Sequence, residues 1–158
     1  MFFLALECNG NGFTKMMHLL VFHELSRMRV NQQPEIISIS PEKTVLLAKN
    51  SRERPGRFDF LVREKEKTIG IEVLTRPSKG KMREKLAYAN EVDEFIFALP
   101  ENSLEFYRKK AQNGIRRVIN KNFLPKEFSD QKLGVWLVDC RKGMVTEKGP
   151  FGKLFEVK

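Results

Sequence analysis

The feature of this sequence that most constrains its fold is a pair of apolar runs, residues 58–63 and 68–75, separated by a charged tetrapeptide at residues 64–67. Both runs are rich in aromatic and β-branched residues, which predicts two strands of an antiparallel hairpin. A single acid interrupts each run, Asp59 in the first and Glu72 in the second. If the residues flanking the tetrapeptide pair, Asp59 stands opposite Glu72 on the same face, with their Cβ atoms about 5 Å apart.

This register, with Arg63 opposite Thr68, places two negatively charged side chains close together. Two carboxylates so close repel each other, which destabilises the hairpin unless a cation lies between them or one of them is protonated. A divalent cation is the usual remedy, and carboxylate oxygens suit hard ions such as Mg²⁺ or Mn²⁺. The hairpin therefore predicts a metal site held by Asp59 and Glu72.

The overall composition is that of a soluble globular chain. At 158 residues, 41% hydrophobic and 31% charged, it predicts a single domain over residues 1–158, with residues 1–12 peripheral. No apolar run approaches the roughly 20 residues of a membrane helix, and the apolar start lacks the basic flank of a signal peptide, so we expect a cytoplasmic protein with no membrane partner. Cys8 and Cys140 lack metal-ligand spacing and predict a buried small residue and a strand-end residue.

The charge of the chain is strongly positive and clustered. The formal net charge is 29 − 20 = +9. A field of this sign attracts polyanions and would hold a phosphate backbone without reading its sequence, which favours nucleic acid as the partner. Solubility alone, or binding to anionic lipid, is the alternative. The two clusters consist of Arg76, Lys79, Lys81, Arg83 and Lys85, and of Arg108, Lys109, Lys110, Arg116, Arg117 and Lys121.

The order of predicted elements indicates an α/β fold with a central mixed sheet, an antiparallel hairpin and a βαβ crossover, with helices on both faces. The run at 94–99 is almost entirely apolar, as expected of a strand buried on both faces. Thr14 is the expected N-cap of the first helix. The predicted elements are a helix at 14–29, strands at 35–40 and 44–48, the hairpin, a helix at 78–92, a strand at 94–99, a helix at 101–117, a strand at 133–140, and edge strands at 143–148 and 154–157.

This order and the placement of the two acids resemble the PD-(D/E)xK nuclease superfamily, whose fold is the restriction-endonuclease-like sandwich. Phe58-Asp59 stands in the Pro-Asp place and Glu72-Val73-Leu74 in the E-x-K place, and the resemblance covers residues 15–140. It implies that Asp59, Glu72 and the backbone carbonyl of Val73 hold Mg²⁺ or Mn²⁺ for phosphodiester hydrolysis.

The chain departs from the family pattern at the motif lysine, which falls on Leu74. In the family this lysine assists the attacking water and the developing negative charge, and leucine can do neither. Some members supply the cation from another element, so Lys85 or Lys81 on the following helix is the candidate replacement, with Lys79 and Arg76 also near. Solvated charges on a helix face are the alternative for each of these lysines.

The first helix offers further candidates, because related nucleases and resolvases often bring an acid from that helix to the metal. Glu24 is the candidate ligand, and His18 and His23 could join it. Helical spacing also allows Glu24 to pair with Arg27 instead. Either histidine alone is more typical of a helix surface than of a ligand.

The resemblance implies a metal-dependent endonuclease that acts on nucleic acid, with DNA favoured over RNA. The basic residues Arg76, Lys79, Lys81, Arg83, Arg108, Arg116 and Arg117 would hold the backbone. A resolvase-like enzyme would be a homodimer, with an interface near residues 123–128 unless those residues cover the core. One alternative is a degenerate nuclease fold that binds nucleic acid or assembles without cutting, favoured by Leu74. Another is that Asp59 and Glu72 form salt bridges with Arg57, Arg76 or Lys85 in a protein of unrelated function.

Overall fold

The structure is a computed structural model that describes residues 11–32, 35–41, 44–46, 55–77, 79–101 and 132–151. Within these residues the chain is α/β. The elements are α1 (Asn11–Asn31), β1 (Ile36–Pro41), β2 (Thr44–Leu46), β3 (Pro55–Arg57), β4 (Phe60–Glu64), β5 (Thr68–Val73), α2 (Lys79–Leu86), a 3₁₀ helix (Ala87–Glu91), β6 (Glu94–Pro100), β7 (Leu133–Asp139) and β8 (Met144–Pro150).

Six strands form one mixed sheet in the order β1-β4-β5-β6-β7-β8, and β2 and β3 pair with each other in a separate ribbon. The pair β4/β5 is the predicted antiparallel hairpin, and its register, with Arg63 opposite Thr68, is the predicted one. Strands β5, β6 and β7 run parallel, while β1 and β8 run antiparallel to their neighbours at the two edges. The predicted strand–helix–strand unit is therefore present as β5, α2 and β6.

Helix α1 covers one face of this sheet. Its buried residues Met17, Val21 and Leu25 contribute to an apolar cluster with the residues of β4 and β5 that point to the same side, such as Val62 and Ile71. Fully burying a side chain of this kind contributes roughly 1.5–3 kcal/mol, so the α1 stripe is what fixes the helix on the sheet. None of the described helices combines the length and the apolar character that a membrane-spanning helix needs.

Helix α2 and the following 3₁₀ helix cover the opposite face. Met82, Leu86 and Ala89 pack with Phe58 and the β6 aromatic residues in a second apolar cluster. Phe58 lies over Gly70, where a Cβ atom would meet the Phe58 ring at 2.5 Å, so the close approach of the ring requires glycine. Helices therefore lie on both faces of the sheet, as the element order predicts.

Two details differ from the sequence-based expectation. Helix α1 begins at Asn11, so Thr14 is an internal helical residue and its prediction as the N-cap is wrong. Its carbonyl accepts a hydrogen bond from the ring of His18 one turn later. The helix predicted at 78–92 changes to a 3₁₀ helix at Ala87. The predicted helix at 101–117 beyond Glu101 and the edge strand at 154–157 lie outside the described residues.

Candidate active site

The two acids of the hairpin meet where β5 ends. Asp59 stands in a bend directly before β4, one residue beyond the last ladder pair of Phe60 and Ile71, and Glu72 is its counterpart on β5. Asp59 Oδ2 accepts a hydrogen bond from the Val73 backbone N–H at 2.7 Å. This bond holds the Asp59 carboxyl group against the carboxyl end of β5, where its parallel ladder with β6 ends. Ligands of open α/β sheets commonly bind at such a strand end.

Glu72 is the most unusual residue of the site, because it is an acid with only 2% of its surface exposed. Its Oε2 lies 3.6 Å from Lys85 Nζ, and its Oε1 is buried without a hydrogen-bond partner. Burial, together with the negative charge of Asp59, raises the pKa of Glu72 to about 8. Near neutral pH the pair therefore holds one proton, which is one of the two ways of relieving the repulsion between adjacent carboxylates.

Asp59 takes the opposite electrostatic role. Its Oδ1 lies 3.2 Å from His18 Nε2 on helix α1. Burial acts to raise the pKa of Asp59, but the hydrogen bonds from His18 and from the Val73 N–H outweigh it and hold the pKa below its ordinary value. Asp59 is therefore the ionised member of the pair and Glu72 the member that takes up the proton.

Lys85 is the described lysine that reaches the acids. Helix α2 directs its ammonium group to Glu72 and over the ring of Tyr88, 4.9 Å from the ring centroid. Burial acts to lower the pKa of Lys85, but the Glu72 carboxylate raises it, and the net pKa lies above its ordinary value. Leu74, at the position that the resemblance assigns to a lysine, is instead buried in the α2 cluster with Met82 and Leu86. The two observations are compatible, because Lys85 on the next helix supplies the positive charge that Leu74 lacks.

A basic cleft of about 300 Å³ opens beside Lys85 at the end of β5. It is lined by Val73, Leu74, Thr75, Arg76, Lys81, Glu84 and Lys85. Three cations and one carboxylate line it, so a diffusing anion meets a net positive charge there. The arrangement can hold a phosphate group beside Lys85, whose Nζ lies 3.6 Å from Glu72 Oε2.

Glu24 is engaged away from the hairpin acids. Its carboxylate accepts hydrogen bonds from Arg27 at 2.6 and 3.0 Å and from Lys148 of β8 at 2.6 Å. Burial acts to raise the pKa of Glu24, but the two basic partners lower it. The pair with Arg27 is the alternative that helical spacing predicts. Lys148 connects α1 to the edge strand β8, and its Nζ also lies 4.6 Å from the centroid of the Trp136 ring. No contact with Asp59 or Glu72 supports a ligand role, which stays a prediction.

The remaining candidates divide between described and undescribed residues. Arg76 and Lys81 are exposed at the cleft. Lys79 and Arg83 belong to α2, but their side chains, like that of Arg57, lie outside the described part. Outside it also lie Arg108, Arg116, Arg117 and the apolar residues Phe123, Leu124 and Phe128.

The contact that the sequence does not reveal is that of His18 with Asp59. One signal in the sequence bears on it: His18 and Glu24 are six residues apart, about 240° around a helix, so the two cannot face one point together. Helical geometry therefore favours contact of only one of these two residues with Asp59 or Glu72. The structure brings His18 to them.

The side chains of the site are of types that bind divalent cations, but they are not arranged as a complete metal site. Among the described residues, no three His, Cys, Asp or Glu side chains are gathered as a complete metal site. Each acid also has a basic neighbour, His18 for Asp59 and Lys85 for Glu72. Glu72 Oε1 lies buried beside a second carboxyl group without a geometric hydrogen-bond partner, and either the proton held by the pair or a cation would satisfy it.

Comparisons of the chain with protein-family models, with curated proteins and with solved structures find no match. The site therefore rests on its own geometry.

Proposed function

We propose that this chain is a metal-dependent nuclease that hydrolyses phosphodiester bonds of nucleic acid on a restriction-endonuclease-like sandwich. The observation that carries the proposal is the buried Glu72 carboxyl with an unpartnered oxygen, placed beside Asp59 and beside Lys85, which also lines a basic cleft. A buried acid whose pKa is strongly shifted, beside specific charge partners and a cleft, is typical of functional sites.

The fold supports the same class. A helix, a hairpin with one acid per arm, a helix and a parallel strand follow in the order that the PD-(D/E)xK resemblance implies. Helices on both faces agree with a sandwich. In this proposal Lys85 takes the place of the motif lysine that is Leu74 here.

Each residue has a separate role in the proposed reaction. Asp59 and Glu72, with the Val73 carbonyl, would hold Mg²⁺ or Mn²⁺, and the cation would supply the Lewis acid for phosphodiester hydrolysis. Lys85 would donate to a phosphate oxygen and stabilise the charge that develops on it. Arg76 and Lys81 would bind flanking phosphates without reading bases.

A cleavage assay on matched variants tests the proposal. Wild-type protein is incubated with Mg²⁺ or Mn²⁺ and labelled single-stranded, duplex and branched DNA and RNA. Asp59→Asn and Glu72→Gln, which keep the side-chain shape, are expected to abolish cleavage, whereas Glu66→Gln at the exposed hairpin turn is expected to retain it. Cleavage that survives in both site variants would refute the assignment.

A binding module that no longer cuts is the second candidate, favoured by two observations. Leu74 is a core residue, and both acids already have basic neighbours. A binding module would bind nucleic acid with a salt-sensitive affinity and would cleave no substrate. Its affinity for nucleic acid would be unchanged in Asp59→Asn and Glu72→Gln. Absence of binding would exclude both candidates.

A further inference from the structure

A cavity of about 490 Å³ lies on the α1 face of the sheet, apart from the hairpin acids. Leu25 and Met28 of α1 border it on one side, and residues from all six strands of the main sheet border it on the other. Among the described residues, this cavity and the basic cleft have no lining residue in common. Its volume falls within the range of about 300 to 1,000 Å³ that is typical of small-molecule sites. The apolar side chains that the strands contribute include Ile36, Val62, Ile69, Ile71, Ile96 and Trp136.

Gly134, in the interior of β7, leaves the floor of this cavity without a side chain. Glycine inside a strand commonly marks a bulge, a tight bend or a close approach by a ligand or another backbone. Gly134 pairs regularly with Ile96 and Pro150, and Gly143 is the described glycine that has a positive φ. A Cβ atom at Gly134 would lie 3.4 Å from the Gly149 carbonyl oxygen and from Ile96 Cγ1, which is ordinary van der Waals contact. Neither the backbone nor the packing requires glycine here, so approach by a ligand is the remaining reason.

The charged residues of the lining are already ion-paired. Lys67 Nζ lies 3.1 Å from the Glu94 carboxylate and 3.7 Å from the Glu64 carboxylate. Lys148 Nζ lies 2.6 Å from Glu24 Oε1. A charged ligand would have to break one of these pairs and leave its former partner unpaired beside an apolar surface, which is unfavourable. The lining therefore favours a ligand without charge.

We propose that this cavity binds an uncharged, apolar small molecule, which lies on Gly134 between α1 and the sheet and contacts Trp136. Apolar cavities of about 150 Å³ already bind benzene, and burial of apolar surface contributes roughly 25 cal/mol for each Å². The ligand site is independent of the proposed nuclease function, because neither Asp59 nor Glu72 lines the cavity.

The fluorescence of Trp136, the one tryptophan of the chain, reports on the cavity directly. The full wild-type chain is titrated with decanol, decanoate and decylammonium, below the concentrations at which these probes aggregate. The three probes have the same alkyl chain length and differ in the charge of the head group. Decanol is expected to change the Trp136 emission saturably and to bind about 10-fold or more tightly than either charged probe. Wild-type protein needs no substitution, so a folding defect in a variant does not remove the test.

A pair of substitutions places the ligand within the cavity. Gly134→Val adds a side chain to the cavity floor and is expected to lower decanol affinity about 10-fold or more. Leu19→Phe enlarges an exposed side chain of α1 outside the cavity and, as the control, is expected to bind decanol as wild type does. Equal affinity for the three probes, no saturable response to decanol, or unchanged affinity in Gly134→Val would each overturn the proposal. The nuclease proposal would stand in all three cases, because the cleavage assay tests it separately.

Discussion

Replacing Glu72 by glutamine isolates the electrostatic cost of the buried acid. The unfolded chain ionises Glu72 near its ordinary pKa of 4.5, whereas the folded protein retains the proton up to about pH 8. Between these values the folded state binds more protons than the unfolded state, so stability falls as the pH rises. Glutamine is a neutral analogue of the protonated acid, and Glu72→Gln is therefore expected to remove this part of the pH dependence.

The expected size follows from the shift. One pKa unit corresponds to about 1.4 kcal/mol. A shift from 4.5 to about 8 sets an upper limit near 5 kcal/mol, reached above pH 8. Water that enters the adjacent cleft would reduce the penalty, so we expect a difference of about 2 to 5 kcal/mol between Glu72→Gln and wild type at pH 9, and near equality at pH 4.5.

Urea unfolding in EDTA at pH 4.5, 7 and 9 measures this difference as the free energy of unfolding. Glu66→Gln, at the exposed hairpin turn, is the control and is expected to follow wild type at every pH. Added Mn²⁺ is expected to stabilise wild type at pH 7 and not the Glu72→Gln variant. Parallel curves for Glu72→Gln and wild type across this pH range would refute the buried, protonated Glu72.

Three further substitutions test other parts of the structure. Gly70→Ala places a Cβ atom 2.5 Å from the Phe58 ring and is expected to lower the free energy of unfolding by about 1–3 kcal/mol. The control Gly134→Ala, whose nearest contacts are at 3.4 Å, is expected to lower it less. Equal losses of stability in urea unfolding would contradict the close packing of Phe58 on Gly70. Glu24→Gln is expected to destabilise the fold by about 1 kcal/mol and to leave Mn²⁺ affinity unchanged in calorimetry, because its partners are basic side chains; a lost Mn²⁺ site would restore Glu24 as a ligand. Lys85→Met is expected to lower the cleavage rate about 100-fold or more while Mn²⁺ still binds, and an unchanged rate would assign the cation to another residue.

The hairpin and its two acids were predictable from sequence, because alternation and turn length are local properties. The register of Arg63 with Thr68 and the buried strand β6 are both confirmed. Lys85 could be named only as one of several lysines, since its approach to Glu72 depends on how α2 docks through Met82 and Leu86.

The contacts made by α1 were beyond sequence reasoning for a related reason. Which face of the helix meets the strand ends depends on its orientation across the sheet, and that orientation is set by many apolar contacts together. The long-range partners of His18 and Glu24 are Asp59 and Lys148, which are 41 and 124 residues away, in addition to Thr14 and Arg27 on the same helix. No local pattern in the sequence links residues so far apart.

The burial of Leu74 has a consequence for how such a protein could be controlled. With the motif position occupied by a core leucine, the cation facing Glu72 belongs to a short helix of eight residues rather than to the rigid strand. A small displacement of that helix would withdraw the ammonium group while the sheet and the acids kept their arrangement. Conservative changes in the apolar face of α2 would then lower the proposed activity without unfolding the protein.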